Sequence, residues 1–118
     1  KILILGLSYR EGVGDYRSSP SLVLYKKLKK YGEVIHANDP LVDINSINEL
    51  KKNIIKQKEK LSYYDAVILC TQHKEYKNFN LKMVRKKTVF IDLNNTIPNK
   101  IKKLFEKNKI KLFTLGKN

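Results

Sequence analysis

The sequence predicts an α/β fold: a three-layer, Rossmann-like domain built on a mainly parallel sheet of five or six strands. Short apolar runs alternate with longer amphipathic stretches along the 118 residues. This pattern is typical of β-α units whose helices cover both faces of a parallel sheet. The length suits one domain, so we expect residues 1–118 to form a single unit.

The strands are predicted from apolar runs that end at polar residues, proline or glycine. They are Ile2 to Leu5, Val34 to Ala37, Ala66 to Cys70, Val89 to Ile91 and Lys111 to Thr114. Ile54 and Ile55 either add a short edge strand, which would be the sixth, or belong to a helix.

The first helix has the clearest start signals. Ser19 can cap it and Pro20 suits its first turn. Leu24, Leu28 and Tyr31 then recur at helical spacing. Further helices are predicted from Ser46 to Asn53, from Leu81 to Lys86 and from Pro98 to Lys107, the last with Ile97, Ile101, Leu104 and Phe105 on one face.

The net charge of +14 arises from 25 basic and 11 acidic residues, and such an excess suggests an anionic partner. The lysines are scattered through every segment, which favours a general preference for lysine at solvated positions. A small basic nucleic-acid-binding α/β module remains the alternative function. We expect no nucleic-acid partner.

Other classes of function find little support in the composition. No run approaches the roughly 18 apolar residues that span a bilayer, and no secretion signal is recognisable. We therefore expect a cytoplasmic protein with no membrane partner. The single cysteine, Cys70, has no partner for a disulfide or a metal-binding pair, so no metal site is expected. Because the chain opens at Lys1 directly before a strand, we also expect a fragment of a longer protein.

Polar residues and glycines gather just after the predicted strands, at the edge of a parallel sheet where ligands bind. The first of these loops, residues 6–19, is longer than the usual two to six or so residues. Gly12 and Gly14 are followed by Arg17 where the dinucleotide fingerprint needs a third glycine, so an NAD site within this domain is not expected. Arg10 and Arg17 instead offer forked donors for phosphate or carboxylate, unless Asp15 pairs with one of them to brace the loop.

The motifs of this loop and of four later segments occur in a recognisable order. They are Gly6-x-x-Tyr9-Arg10 with Asp15-x-Arg17-x-Ser19-Pro20, then Asn38-Asp39-Pro40, then Tyr64 to His73, then Phe90-Ile91-Asp92, and finally Phe113 to Gly116. Together they resemble the C-terminal, UDP-binding domain of the UDP-glucose/GDP-mannose dehydrogenase family. The resemblance covers nearly the whole chain.

The resemblance implies a role in an NAD-dependent UDP-sugar 6-dehydrogenase, which oxidises the C6 hydroxyl of a sugar to a carboxylate for polysaccharide or cell-surface glycan synthesis. Members of the family also have an N-terminal domain that binds most of the NAD and a central dimerisation region. This chain would then hold no catalytic residue and be inactive alone. The full-length enzyme would form a homodimer or higher oligomer.

The resemblance also implies roles for single residues. Tyr9, Arg10 and Asn94 would contact the substrate, and Arg17 would reach toward NAD. Asp15 and Ser19 would brace the loop. Two positions depart from the family pattern. Arg10 replaces the usual lysine, and Asn94 stands where the family commonly has an arginine that contacts UDP, so either Lys100 or Lys117 compensates or substrate binding differs.

Three other conspicuous residues are predicted to have structural roles. Cys70 ends a buried-type strand and is predicted to be a core cysteine. His73 is predicted to stabilise a loop, and Asp39 to form an Asp-Pro turn rather than a ribose-binding acid. A third function, a flavodoxin-like regulatory domain, fits the pair Arg10 and Arg17 poorly.

Overall fold

A computed structural model of the protein describes residues 1–8, 19–31, 34–42, 61–78, 81 and 84–115. The strands are β1 (Ile2–Leu5), β2 (Ile35–Asn38), β3 (Ala66–Leu69), β4 (Val89–Asp92) and β5 (Leu112–Thr114). The α-helices are α1 (Pro20–Leu28) and α2 (Asn99–Lys107), and short 3-10 helices lie at Leu61–Tyr63 and Lys74–Tyr76.

The five strands form one sheet in the order β2-β1-β3-β4-β5, and every neighbouring pair is parallel. All strands therefore end at the same edge of the sheet, called here the carboxyl edge. The predicted α/β class and Rossmann-like sheet are confirmed, with five strands among the described residues.

The sheet separates two hydrophobic clusters, as the alternation of side chains along a strand requires. On one face, Ile4 of β1 packs in a cluster with Tyr25 of α1. On the other face, Leu3 and Leu5 join a larger cluster with Phe105 of α2. The strands are apolar on both faces because each face is covered by a helix.

The predicted strands agree with the structure to within one residue at each end. The start of α1 is also confirmed, since the side chain of Ser19 accepts a hydrogen bond from the backbone N–H of Ser21. The prediction for Tyr31 is wrong: it lies beyond the helix and is 86% exposed. Tyr25 is the buried aromatic residue of α1. The helix ends at Leu28, and residue 25 lies on its buried face.

Two other helix predictions need correction. Leu104 of α2 is 40% exposed, so the buried face of that helix is narrower than predicted and is formed by Ile101 and Phe105. The helix predicted from Leu81 to Lys86 is wrong over residues 84–86, where residue 84 lies in a bend and residue 86 in a turn. The predicted Ser46–Asn53 helix and the alternatives for Ile54 and Ile55 lie outside the described residues. In the described ranges, no helix has the length and apolar character needed to cross a membrane.

Candidate functional site

The strand order creates a crevice at the carboxyl edge. β2 lies on one side of β1 and β3 on the other, so the connections that leave β1 and β3 run in opposite directions. Open α/β sheets bind ligands at such a point of reversal. The sequence places Gly6 to Ser8 after β1 and Cys70 to His73 after β3, and these two segments therefore meet at the crevice.

A close contact brings the two segments together. Gly6 has φ of +104°, and a Cβ at this position would lie 2.6 Å from both Cβ and Oγ1 of Thr71. Only glycine fits this combination of left-handed backbone and close approach. The hydroxyl of Thr71 in turn donates to the carbonyl oxygen of Ser8 at 3.2 Å.

A cavity of about 380 Å³ opens at this crevice. Its lining comes from the loops after β1, β3 and β4 and from the first turns of α1. The described lining residues are Ser8, Pro20, Ser21, Leu24, Cys70, Leu93 and Asn94. None of these carries a charge. The described part of the lining therefore offers apolar walls with a few neutral hydrogen-bonding groups, which is the usual character of a small-molecule site.

The N-terminus of α1 borders the cavity through Pro20 and Ser21. Backbone N–H groups at a helix start carry partial positive charge, and this end of a helix favours anions. Pro20 lacks an N–H, and the Ser21 N–H is already bonded to the Ser19 side chain at 3.1 Å. The helix thus contributes mainly its dipole to the field in the cavity.

Asn94 lies exposed on the turn after β4, at the rim of the cavity. Its side-chain amide donates to the carbonyl oxygen of Cys70, and the side chain of Gln72 donates to the carbonyl oxygen of Asn94. The turn is shaped by the buried carboxylate of Asp92, which accepts from the backbone N–H groups of Thr96 and Ile97 at 2.8 and 2.9 Å. The loops after β3 and β4 are therefore tied together beside the cavity.

A second polar group lies behind the wall of the cavity. We call it the Asp39 clasp, formed by Asp39, Ser8 and His73, whose side chains come from the segments after β2, β1 and β3. Oδ2 of Asp39 accepts from the backbone N–H groups of Leu7 and Ser8 at 2.7 and 2.9 Å and from the Ser8 hydroxyl at 2.8 Å. Nε2 of His73 lies 3.0 Å from the same oxygen, and both side chains of this pair are fully buried.

These contacts decide the role of Asp39. Its other oxygen, Oδ1, accepts from the backbone N–H of Leu41 at 2.8 Å, which is the Asp-Pro turn that the sequence predicted. Because both oxygens are occupied and the side chain has no exposed surface, Asp39 cannot reach a ribose hydroxyl. His73 also fills its predicted loop-stabilising role.

The clasp resembles a serine–histidine–aspartate triad only in composition. In a triad the imidazole takes the serine proton on one nitrogen and donates to the carboxylate from the other. Here Nε2 of His73 faces both Asp39 and Ser8, and the Ser8 hydroxyl donates its own hydrogen to Asp39. Ser8 is therefore not activated as a nucleophile.

Cys70 lines the cavity and packs against the α1 cluster as a half-buried side chain. Burial raises the pKa of its thiol to about 12, although a hydrogen bond with Ser21 acts in the opposite direction. A thiol with this pKa stays protonated at neutral pH and is a poor nucleophile. The predicted structural reading of Cys70 agrees with this environment.

Most of the residues predicted for the site, Tyr9, Arg10, Asp15 and Arg17 with their loop, lie outside the described residues, as does Lys117. Ser8 and Ser19 flank that loop; Ser8 lines the cavity, and Ser19 is the N-cap of α1. Lys100 is exposed in the first turn of α2. Sequence reasoning missed Ser8, Ser21 and Leu24 as lining residues. Within the described part of the chain, no group of three His, Cys, Asp or Glu side chains could hold a metal.

The lysines of the two helices lie on opposite sides of the molecule. α1 packs on one face of the sheet and α2 on the other, and each exposes several lysines to solvent. A nucleic-acid module would be expected to concentrate its positive charge on one face. None of the observations favours the nucleic-acid alternative.

Comparison with known proteins identifies the family. The model of the UDP-glucose/GDP-mannose dehydrogenase family, UDP binding domain, matches residues 3–99. The chain belongs to this family. A UDP-N-acetyl-D-glucosamine 6-dehydrogenase from Salmonella typhi is 30% identical over 101 residues, which are 82% of this chain and 24% of that protein. A UDP-glucose 6-dehydrogenase from Rickettsia prowazekii is 29% identical over 109 residues, which are 86% of this chain and 25% of that protein.

A solved structure shows the same fold. The chain matches the NDP-N-acetyl-D-galactosaminuronic acid dehydrogenase of Methanosarcina mazei Go1 with a TM-score of 0.80 and 21% identity, over 100% of this chain and 25% of that one. The family member described here thus spans about a quarter of the length of these relatives.

Proposed function

We propose that this chain is the C-terminal, nucleotide-sugar-binding domain of a longer, cytoplasmic, NAD-dependent UDP-sugar 6-dehydrogenase. The observation that carries the proposal is the cavity at the carboxyl edge, in a chain of this family. The cavity lies between β1 and β3, where an open α/β sheet binds its ligand, and the dipole of α1 favours an anion there.

The described lining residues can bind only the uncharged parts of a nucleotide. Ser21 and Asn94 can exchange hydrogen bonds with uncharged groups of a nucleotide, while Leu24 and Leu93 supply apolar contact. The diphosphate needs cations, and the described lining residues provide none. We assign that part to Arg10, with Tyr9 as a further substrate contact and Asp15 and Ser19 as braces of the loop.

NAD fits poorly in the cavity itself. β1 ends at Leu5 and α1 begins only at Pro20, so this connection is longer than the tight glycine-rich turn that cradles a dinucleotide pyrophosphate. Asp39, the acid that directly follows β2, is fully engaged in its clasp. We therefore propose that NAD, the hydride acceptor, is held mainly by another domain of the polypeptide, with Arg17 reaching toward it.

The rest of the enzyme completes the proposal. The hydride transfer and the catalytic thiol are assigned to the other domains, so the 118-residue chain is expected to be inactive alone. The substrate is UDP-glucose or a UDP-N-acetylhexosamine, and the full-length protein is expected to be a homodimer or a higher oligomer.

A pair of substitutions on α1 tests the cavity. Leu24 and Leu28 are both half-buried and pack on the same cluster, but only Leu24 lines the cavity. In the full-length protein, Leu24→Trp should fill the cavity and raise KM for the UDP-sugar by about tenfold or more, measured by NADH absorbance. Leu28→Trp is the matched control and should leave KM nearly unchanged. Equal KM values for both variants and the unaltered enzyme would contradict the proposal, as would a full-length protein that oxidises no UDP-sugar.

A further inference from the structure

The Asp39 clasp lies next to the proposed nucleotide site, but the charged and aromatic side chains of the clasp do not line that site. Of its three residues, only Ser8 lines the cavity. Asp39 and His73 have no exposed side-chain surface, so they cannot contact a ligand directly. Their effect on any ligand must pass through Ser8.

The clasp fixes Ser8 through every polar atom of that residue. Its N–H and hydroxyl both donate to Asp39, and its carbonyl oxygen accepts from Thr71. Loops at binding sites are usually held by fewer contacts than this, because their backbone is largely solvated. The position of the cavity wall at residue 8 is therefore determined by the segments that follow β2 and β3.

His73 adds a contact that backbone structure alone would not supply. A carboxylate only accepts hydrogen bonds, so Nε2 of His73 must carry the hydrogen that points at Asp39. This hydrogen bond links the β3 segment to a carboxylate that already holds Leu7 and Ser8. Three strand ends are thus joined at one oxygen atom, directly behind the wall of the cavity.

We propose that Asp39 and His73 are positioning residues for the nucleotide: they set its affinity by fixing the position of Ser8 in the cavity wall. This inference rests on the proposed function. It assigns to the clasp a role in binding that is separate from its contribution to stability. A misplacement of about 1 Å in a positioning group is enough to cost a large factor in binding or rate.

Two substitutions of His73 separate the donor from the bulk of the ring. His73→Phe keeps a buried ring but removes the donor, whereas the amide nitrogen of His73→Gln reaches to about the same distance and restores it. In the 118-residue chain, His73→Phe should weaken UDP binding at least about fivefold in an NMR titration, and His73→Gln should restore most of the affinity. Amide exchange of Leu7 and Ser8 should accelerate in His73→Phe alone.

A control substitution on the opposite face of the sheet tests whether a loss of stability alone weakens UDP binding. Phe105→Leu alters the α2 cluster and should lower the unfolding temperature without changing UDP affinity. If the unaltered chain bound UDP and His73→Phe bound it equally well, the positioning role would be wrong while the proposed function stood. If Phe105→Leu weakened UDP binding as much as His73→Phe, the effect would be one of stability and the positioning role would also be wrong. If the unaltered chain bound no UDP at all, both proposals would fall.

Discussion

The carboxylate of Asp39 is buried and yet stays charged because donors converge on it from three segments. Burial alone pushes the pKa of Asp39 up, but hydrogen bonds from Leu41, Leu7 and Ser8 outweigh this effect and leave the pKa below its ordinary value of 3.8. A charged acceptor strengthens each of these bonds, which explains how one side chain can hold so much backbone.

This pKa predicts how stability depends on acid. A carboxyl group whose pKa is lowered by folding stabilises the protein above its unfolded pKa, and the stabilisation is lost as pH falls through the lower folded value. The free energy of unfolding should therefore decline below about pH 4. The carboxyl ¹³C resonance of Asp39 should titrate with a midpoint below 3.8. A midpoint at or above that value would show that the donors do not engage the charged form.

Cys70 provides a second prediction at the scale of a residue. Since burial raises the pKa of the thiol to about 12, almost none of it is thiolate at pH 7. Alkylation by iodoacetamide should be at least about a hundredfold slower in the folded chain than in urea. Similar rates in the two states would contradict the burial of this thiol beside α1.

Among the elements, α1 connects the sequence signals most directly to the site. Ser19 and Pro20 were sufficient to predict where the helix begins, because an N-cap and a first-turn proline satisfy or remove backbone donors locally. The same start places Ser21 and Leu24 at the cavity. The end of the helix was harder to predict, since Tyr31 fits the periodicity but lies beyond the last turn.

The contribution of the Ser19 cap to the free energy of unfolding can be measured. Ser19→Ala removes the acceptor for the Ser21 N–H and should lower the free energy of unfolding by about 1 kcal/mol, whereas Ser19→Gly should cost only a few tenths. Urea unfolding of the two variants beside the unaltered chain measures both values. An alanine variant as stable as the unaltered chain would mean that the Ser19 side chain does not cap α1.

At the scale of the whole molecule, the sequence predicted the sheet well because its strands are apolar on both faces. It also predicted that the carboxyl edge carries the site. It did not predict the described lining, because neutral residues such as Ser8, Ser21 and Leu24 carry no sequence signal for a ligand, whereas the arginines do. Nor could it predict the clasp, since Ser8, Asp39 and His73 are far apart in the chain and meet only when β1 lies between β2 and β3.

The central claim is that a UDP moiety occupies the cavity between the ends of β1 and β3. An NMR titration of the ¹⁵N-labelled 118-residue chain with UDP tests it most directly. Saturable shifts should appear in the millimolar range, as for a single cleft wall, and should concentrate at Ser8, Ser21, Leu24, Cys70 and Asn94. Shifts spread over the exposed lysines of α1 and α2, or no saturable shift at all, would contradict it.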